Sequence, residues 1–542
     1  MMKTWKFWLL TLLALMLFTA TGCEALQGYE IGKALQNSAL TTSSESKGTI
    51  QIKLQKGNMD AASDQEKLVY ELFSNMKLSI DSAKMKDESH ISLDGAFVYK
   101  SGSIPFKLVY EKDQFIIDIE GAKKPVVFSN TGAADSLTSV IYESLQQDLE
   151  AKVKEIVPIL TNYMIDKAPN PSTISLEQVT EKVNNESLSM KKLHAEIYGD
   201  ELKGLLHKFL SNILSDEEAL KELIGQLYDS LMPLIKESAQ AAQKGITESL
   251  SDQSALPGTE MLSESEFIPD LIFAYMDNKT LVVEFAFTTL QQALKYALAE
   301  LDKPSEEVDE FGVGAQLDTI LNKKNYVKAD LYIDQDQQIR KQHVEMNISL
   351  SEEMAIAGVK ITMDSESWNL NKAVDIDKID LSKGQFNVED MGSMNEYELL
   401  RNLETDSQIY KLLQNELQIA KKEYSMILTN GIELDYYSTH PFINDEGYAM
   451  IPVHFASDVF GAKVEWNDEL QQTIIVDAKS GTTLAITTDS DTATVNGSDV
   501  TLVSKAVSIN DSVFIPLRFL TDAFEIELEW DESTQMIQLN RE

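Results

Sequence analysis

Residues 450–467 read MIPVHFASDVFGAKVEWN, and residues 514–531 read FIPLRFLTDAFEIELEWD. Set at an offset of 64 (516 − 452 = 64), the two stretches align without a gap. Ile451, Pro452, Phe455, Asp458, Phe460, Glu465, Trp466 and Gln471 meet Ile515, Pro516, Phe519, Asp522, Phe524, Glu529, Trp530 and Gln535. An internal duplication of this quality means one supersecondary unit built twice. In each copy the proline opens a short helix, where its missing amide donor costs nothing. Phe455, Val459 and Phe460 form the inner face of the first helix; Phe519, Ala523 and Phe524 do so in the second. Val464-Glu465-Trp466 then alternates as a strand, turns at Asn467-Asp468 and returns through Ile474–Val476, and Leu528–Leu539 repeats the plan. Between the copies, Leu484–Thr488 and Thr492–Val495 with Asn496-Gly497 read as further hairpins.

This double motif, Ile-Pro-Val/Leu-x-Phe followed by a helix and Trp-Asn/Asp, resembles the copper amine oxidase N-terminal-like domain, also called the stalk domain. The likeness covers 432–542. It implies a small sheet wrapped on helices, without copper or quinone chemistry, that supports attachment or interaction. The family's arginine after Pro-Leu is matched by Arg518, while His454 stands in that place in the first copy. Trp466, Trp530 and Arg518 are therefore the candidate interaction residues. Exposed tryptophans stack on sugars, but regular placement in both copies favours core packing for the two indoles.

At the other end, Lys3 and Lys6 precede an apolar run from Phe7 to Phe18, which is the layout of an export signal and too short to span a bilayer. Ala20-Thr21-Gly22-Cys23 follows and resembles a bacterial lipobox, with Ala20 where leucine is usual. Cys23 is the only cysteine in the chain, so disulfide staples are excluded and the thiol reads as a lipid anchor. The resemblance implies diacylation of Cys23, and two acyl chains suffice for stable membrane attachment. We expect a signal peptide at 1–22, a flexible tether at 23–47 that includes the polar run Thr41–Ser46, and residence on the outer face of a bacterial cytoplasmic membrane.

The 542 residues carry 47 Lys+Arg against 87 Asp+Glu, a formal net charge of −40. Nucleic acid and anionic headgroups reward basic patches, so neither is an expected partner. Acidity of this kind reads as a solvated outward face.

Residues 48–392 read as an α+β body of antiparallel sheets with packed helices. Strands are expected at Thr49–Leu54, 97–99, Phe106–Tyr110, Gln114–Ile119, Ser187–Tyr198, Leu281–Phe287, Val327–Ile333, Val344–Leu350 and Val359–Met363, from their alternation. Helical periodicity marks Asp64–Met76, Asp135–Lys167, the stripe from Leu202 to Leu214, a helix begun by a capping box at Ser215-Asp216-Glu217-Glu218, and Thr289–Leu301. Ala168-Pro169-Asn170-Pro171 breaks the chain and suggests a division into two related units. The turn at Asp334–Gln337 and its flanking strands resemble half-barrel carriers of lipoproteins or lipids, which implies an apolar ligand. Leucines from Leu399 to Leu417, ended by Asn430-Gly431, read as a linking helix over 395–430.

His90, His194, His207, His343, His440 and His454 show no metal-ligand spacing, and G-x-S-x-G, P-loop and dinucleotide fingerprints are absent from the sequence. With 87 carboxylates, pairs such as Glu217-Glu218 or Asp375 and Asp377 carry no information about acid–base chemistry. The sequence thus reads as a non-catalytic lipoprotein without metal or cofactor, engaging a cell-wall polymer or an envelope protein. The alternative is a carrier of lipid or another apolar ligand in the 48–392 body.

Overall fold

The computed structural model describes residues 31–541 apart from 61, 112, 130–151, 153, 154, 157, 252–276, 303–320, 393, 431–439, 511 and 532–535. The chain divides into two compact units, the first comprising residues up to Ile117 and Phe128–Ile379, the second Asp118–Val127 and Asp380–Glu542. The fold class is α+β, and its large sheet is a half-barrel.

In the first unit, helix α1 (Ile31–Ala39) precedes β1 (Ser44–Lys56), and α2 (Asp64–Phe73) follows it. Next come β2 (Asn75–Asp87), β3 (His90–Tyr99), β4 (Gly102–Glu111) and β5 (Gln114–Ile119). After β6 (Val126–Ser129), a second run consists of β7 (Thr173–Val183) and β8 (Glu186–Tyr198), then α3 (Gly199–Ser215), α4 (Glu217–Ser251) and α5 (Lys279–Asp302). It ends in β9 (Tyr326–Ile333), β10 (Ile339–Ser349) and β11 (Ile356–Trp368). The strand order β5-β4-β3-β2-β1-β11-β10-β9-β8-β7 places two antiparallel meanders side by side.

Those meanders are fused, because β1 and β11 pair from Glu45↔Trp368 to Lys56↔Ile356. The break expected at Ala168–Pro171 lies between the two meanders in sequence, ahead of β7, and one hydrogen-bonded sheet runs through both. Local chemistry sets the turns. Asn184 and Asn185 both take positive φ (44° and 67°) in the two-residue loop of the β7–β8 hairpin, where the matching twist favours left-handed residues. The expected turn at Asp334–Gln337 is present, with Asp334 Oδ1 accepting from the amides of Asp336 and Gln338.

Period-two alternation gives the sheet two chemically distinct faces. Ile50, Ile52 and Leu54 of β1 oppose Met363, Ile361 and Val359 of β11 on one face, and Leu193, Ala195 and Ile197 of β8 oppose Leu331, Ala329 and Val327 of β9. The other face carries cross-strand charges. Lys341 pairs with Glu181 at 2.9 Å and Lys360 with Glu345 at 2.9 Å, while Lys328 lies 3.3 Å from Glu196.

Several expectations are corrected. The body begins before residue 48: α1 is a docked amphipathic helix with Ile31 and Ala34 buried against Leu193, Leu331 and Ile333, so residues 31–47 are not a flexible tether. Leu281–Phe287 is helix, not strand; it lies in α5, and Phe287 packs with Phe209, Leu210, Ile213 and Leu220 in a cluster of α3, α4 and α5. A run of apolar residues too short to separate strand from buried helix by period alone explains that error. Asp216, rather than Ser215, caps α4 by accepting from the Ala219 amide at 3.1 Å. Residues 158–167 are helical, while most of the expected tract before them lies outside the described residues.

In the second unit, β6 pairs in parallel with β12 (Phe386–Asn387) at Val126 and Val127. After α6 (Val388–Gly392), the expected linking helix at 395–430 is instead a set of short pieces: α7 (Glu396–Arg401), α8 (Gln408–Tyr410) and a π-helical turn, Lys411–Glu416, before β13 (Lys422–Ile427). Asn395 and Glu398 form a capping box on α7 that starts a helix, and Tyr397, Leu400, Leu403 and Ala420 gather its apolar residues into one buried cluster.

The duplicated domain then begins with β14 (Thr429–Asn430), β15 (Phe442–Ile443), β16 (Ala449–Pro452) and α9 (His454–Phe460). It continues through β17 (Lys463–Asn467), β18 (Gln472–Val476), β19 (Thr483–Thr487), β20 (Thr492–Val495) and β21 (Ser498–Thr501). It closes with β22 (Val507–Ile509), β23 (Ser512–Pro516), α10 (Leu517–Ala523), β24 (Glu527–Asp531) and β25 (Met536–Arg541). Three sheets result: β14-β15-β16-β23-β22, β17-β18-β19-β20-β21 and β13-β25-β24. One core serves both copies, with Phe455, Phe460, Ile475, Leu484, Leu520, Phe524 and Leu539 buried together. The Asn496-Gly497 hairpin forms as expected, both residues at positive φ.

Candidate functional site

The two copies meet about an internal pseudo-two-fold axis. On the antiparallel ladder of β16 and β23, Ile451 pairs with Ile515, its own equivalent, and Met450 and Pro452 pair with Pro516 and Phe514. The hairpins obey the same relation: Val464↔Ile475 and Trp466↔Thr473 in the first copy match Leu528↔Leu539 and Trp530↔Ile537 in the second. Against β25, the position that β19 holds against β18 is taken by β13, a strand that precedes the duplication.

Asp477 and Arg541, also equivalent at the offset of 64, form a buried bidentate pair at 2.8 and 2.6 Å. Both are at most 2% exposed. Burial alone would raise the Asp477 carboxyl, but hydrogen bonds from Arg541 and from the Ser480 hydroxyl and amide outweigh it and hold the carboxyl below its usual range. The guanidinium also stands 5.6 Å from the ring centroids of Tyr397 and Phe524. Sequence reasoning missed this pair, although opposite charges at one position of an exact offset were a readable signal.

Trp466 and Trp530 occupy equivalent sites on β17 and β24, the outer strands of two different sheets. Each shares a strand face with a residue packed on the core, Val464 and Leu528 respectively, yet they remain 49% and 46% exposed. The expectation of core packing is corrected: the register is inward, but both indoles lie at the ends of their strands, where the core runs out. The Trp466 Nε1 donates to Asp468 Oδ1 at 2.8 Å, and Asn467 Oδ1 accepts from the amides of Glu469 and Leu470 in the same turn. This fixed turn also presents Leu470, 62% exposed. Arg518 lies exposed on α10, and His454 is half-buried on α9. Cys23 and the expected signal peptide lie outside the described residues.

On the body's polar face, His194 stands 2.7 Å from Asp330 and 3.2 Å from Glu196, and His343 stands 2.7 Å from Asp364. Hydrogen bonding from Tyr198 lowers the Glu196 carboxyl despite partial burial, and Tyr326 does the same for Glu345. Among the described residues no group of three or more His, Cys, Asp or Glu side chains is placed to hold a metal ion, and no helix is long and apolar enough to cross a membrane.

The strand–helix–hairpin frame is thus built twice, with a buried ion pair between equivalent positions and an exposed tryptophan on an outer strand of each copy. Residues 428–539 match the family model of the copper amine oxidase N-terminal domain. No curated protein and no solved structure matches the chain.

Proposed function

We propose that the chain is a lipoprotein of the bacterial cell envelope, anchored through Cys23 at the outer face of the membrane, whose duplicated domain is a binding or attachment element. The observation that carries the reading is the exposure of Trp466 and Trp530 at equivalent positions of a rigid frame. Exposed indoles offer flat apolar faces to sugar rings. Glu465, Asp468 and Glu529 beside them, in a chain of net charge −40, favour uncharged glycan over anionic polymer. Full-length chain should sediment with purified wall glycan, and the Trp466→Ala and Trp530→Ala double variant should lose at least tenfold in retention while its melting temperature holds. Equal retention would remove the tryptophans from the reading. Anchoring is tested separately: palmitate incorporation should vanish in Cys23→Ser.

A second reading, that the body carries an apolar ligand, is supported by its half-barrel sheet, on whose apolar face Ile50, Ile52, Val359, Ile361 and Met363 are only half-buried.

A further inference from the structure

Helix α1 roofs one end of the apolar sheet face unevenly. At its start Ile31 and Ala34 are buried against Leu193, Leu331 and Ile333. Farther along, beneath Leu35 and Ser38, the packing stops and a cavity of about 290 Å³ remains. Its floor is low for a reason that can be read in the ladder. Ala195 and Ala329 pair directly across β8 and β9 on the apolar face, between Leu193↔Leu331 on one side and Ile197↔Val327 on the other. Two small side chains stand where their neighbours are large.

The roof is held in place. Asn37 Nδ2 donates to the Gln337 carbonyl at 3.0 Å in the β9–β10 turn, Thr41 Oγ1 donates to the Asn37 carbonyl at 3.0 Å, and the Thr42 amide donates to Asn371 Oδ1 at 2.9 Å. The pocket opens to solvent along one side, where Ser38 and Ala39 are exposed, and its floor is apolar. A dry apolar cavity of ~150 Å³ suffices to bind benzene. The space here is about twice that, enough for part of one hydrocarbon chain and too small for a complete two-chain lipid. None of the residues around it is charged, and the polar members are Ser38 and Gln342. An ionised headgroup therefore has no counter-charge inside and must stay in water.

Building on the carrier reading of the body, we infer that the cavity between α1 and the Ala195–Ala329 floor is the seat of a single acyl chain of a bilayer phospholipid, with its ester end toward Ser38 and Gln342. The source follows from reach. Eight peptide steps (31 − 23 = 8) separate Cys23 from Ile31, and an extended chain covers at most about 28 Å over that length. A chain anchored at Cys23 keeps α1 at the membrane surface, where acyl chains are the abundant apolar groups.

The test uses the full chain in its own membrane. Cells are fed a diazirine-bearing fatty acid that enters their phospholipids, irradiated, and the chain is purified and its peptides mapped. Adducts are expected on α1 and β9, with at least a tenfold loss in Ala329→Phe, which fills the floor. Ala195→Leu provides a milder filling should Ala329→Phe fail to fold, and unchanged melting temperature qualifies either variant. Lipid that co-purifies but cross-links elsewhere, or equally in a folded filled variant, overturns the site and leaves the carrier reading standing. Absence of any lipid overturns both. A cross-link that joins the Cys23 peptide to α1 or β9, in place of a separate phospholipid adduct, would make the occupant the chain's own anchor and overturn the assignment to a bilayer phospholipid.

Discussion

Asp477 and Arg541 hold the same position in the two copies of the repeat, and their side chains face each other as a buried bidentate pair. Breaking a buried pair by removing one partner typically costs about 3–5 kcal/mol, since the other charge is left unpaired. Arg541→Met should destabilise the C-terminal unit by that order, and Asp477→Leu by less, because a guanidinium between Tyr397 and Phe524 keeps ring contacts. The double replacement Asp477→Leu with Arg541→Met should recover most of the loss. Urea unfolding followed by tryptophan emission, run as a double-mutant cycle, measures the coupling; additive losses would show that the pair acts through packing alone.

The same pair fixes an acid dependence. The Asp477 carboxyl is depressed in the folded state, so its contribution is present above the unfolded aspartate value of about 3.9 and is lost as pH falls through the lower folded value. The unit's melting temperature should therefore be insensitive to this group near neutrality and fall below about pH 4. In Arg541→Met the buried carboxylate has lost its cation, and burial now favours the protonated form. Acidification should then stabilise the variant over part of the range, a reversal of slope that calorimetry from about pH 3 to about pH 7 would read.

In the body, backbone proximity requires glycine at several positions, Gly48 and Gly95 among them. A Cβ at Gly48 would meet the Asp364 carbonyl oxygen at 2.4 Å, and one at Gly95 would meet that of Ser79 at 2.2 Å. Neither obstacle is a movable side chain, so Gly48→Ala and Gly95→Ala should each cost about 1–3 kcal/mol by overpacking. Gly204 on α3 has no atom within 4 Å of such a Cβ, and Gly204→Ala should stabilise by roughly 0.5–1 kcal/mol through helix propensity. Thermal melts of the three variants give opposite signs if the geometry is right.

Docking of α1 is testable without any ligand. Ala34 is fully buried, and Ala34→Asp would place an unpaired carboxylate against Leu193 and Leu331. Hydrogen exchange should rise across 31–39 while β1 and β11 keep their protection. Protection unchanged at 31–39 would show that the helix does not depend on that contact.

Much of the C-terminal unit was legible because duplication doubles every signal. Phe455, Phe460 and Phe524 are buried where the repeat places them, and Asn496-Gly497 turns its hairpin. The half-exposure of Trp466 and Trp530 was not legible: alternation reports which face a residue takes, not where along a strand the opposing layer ends. In the body, alternation located most strands, but pairing between β1 and β11, more than three hundred residues apart, leaves no local mark. The docked α1 was hidden by its polar content, since only Ile31, Ala34 and Leu35 carry its contact. The cavity beneath it depends on two alanines meeting across strands between which α3, α4 and α5 intervene in sequence.

Position on an axis of two-fold symmetry has a stricter meaning than burial. Were each half of the repeat a separate chain, two identical halves meeting through the Ile451 ladder would form an isologous dimer, and every group on the axis would face a copy of itself. The first half would then set aspartate against aspartate, and the second arginine against arginine. Covalent fusion lifts that restriction: it lets one half keep the acid and the other the base, so that the halves prefer each other to themselves.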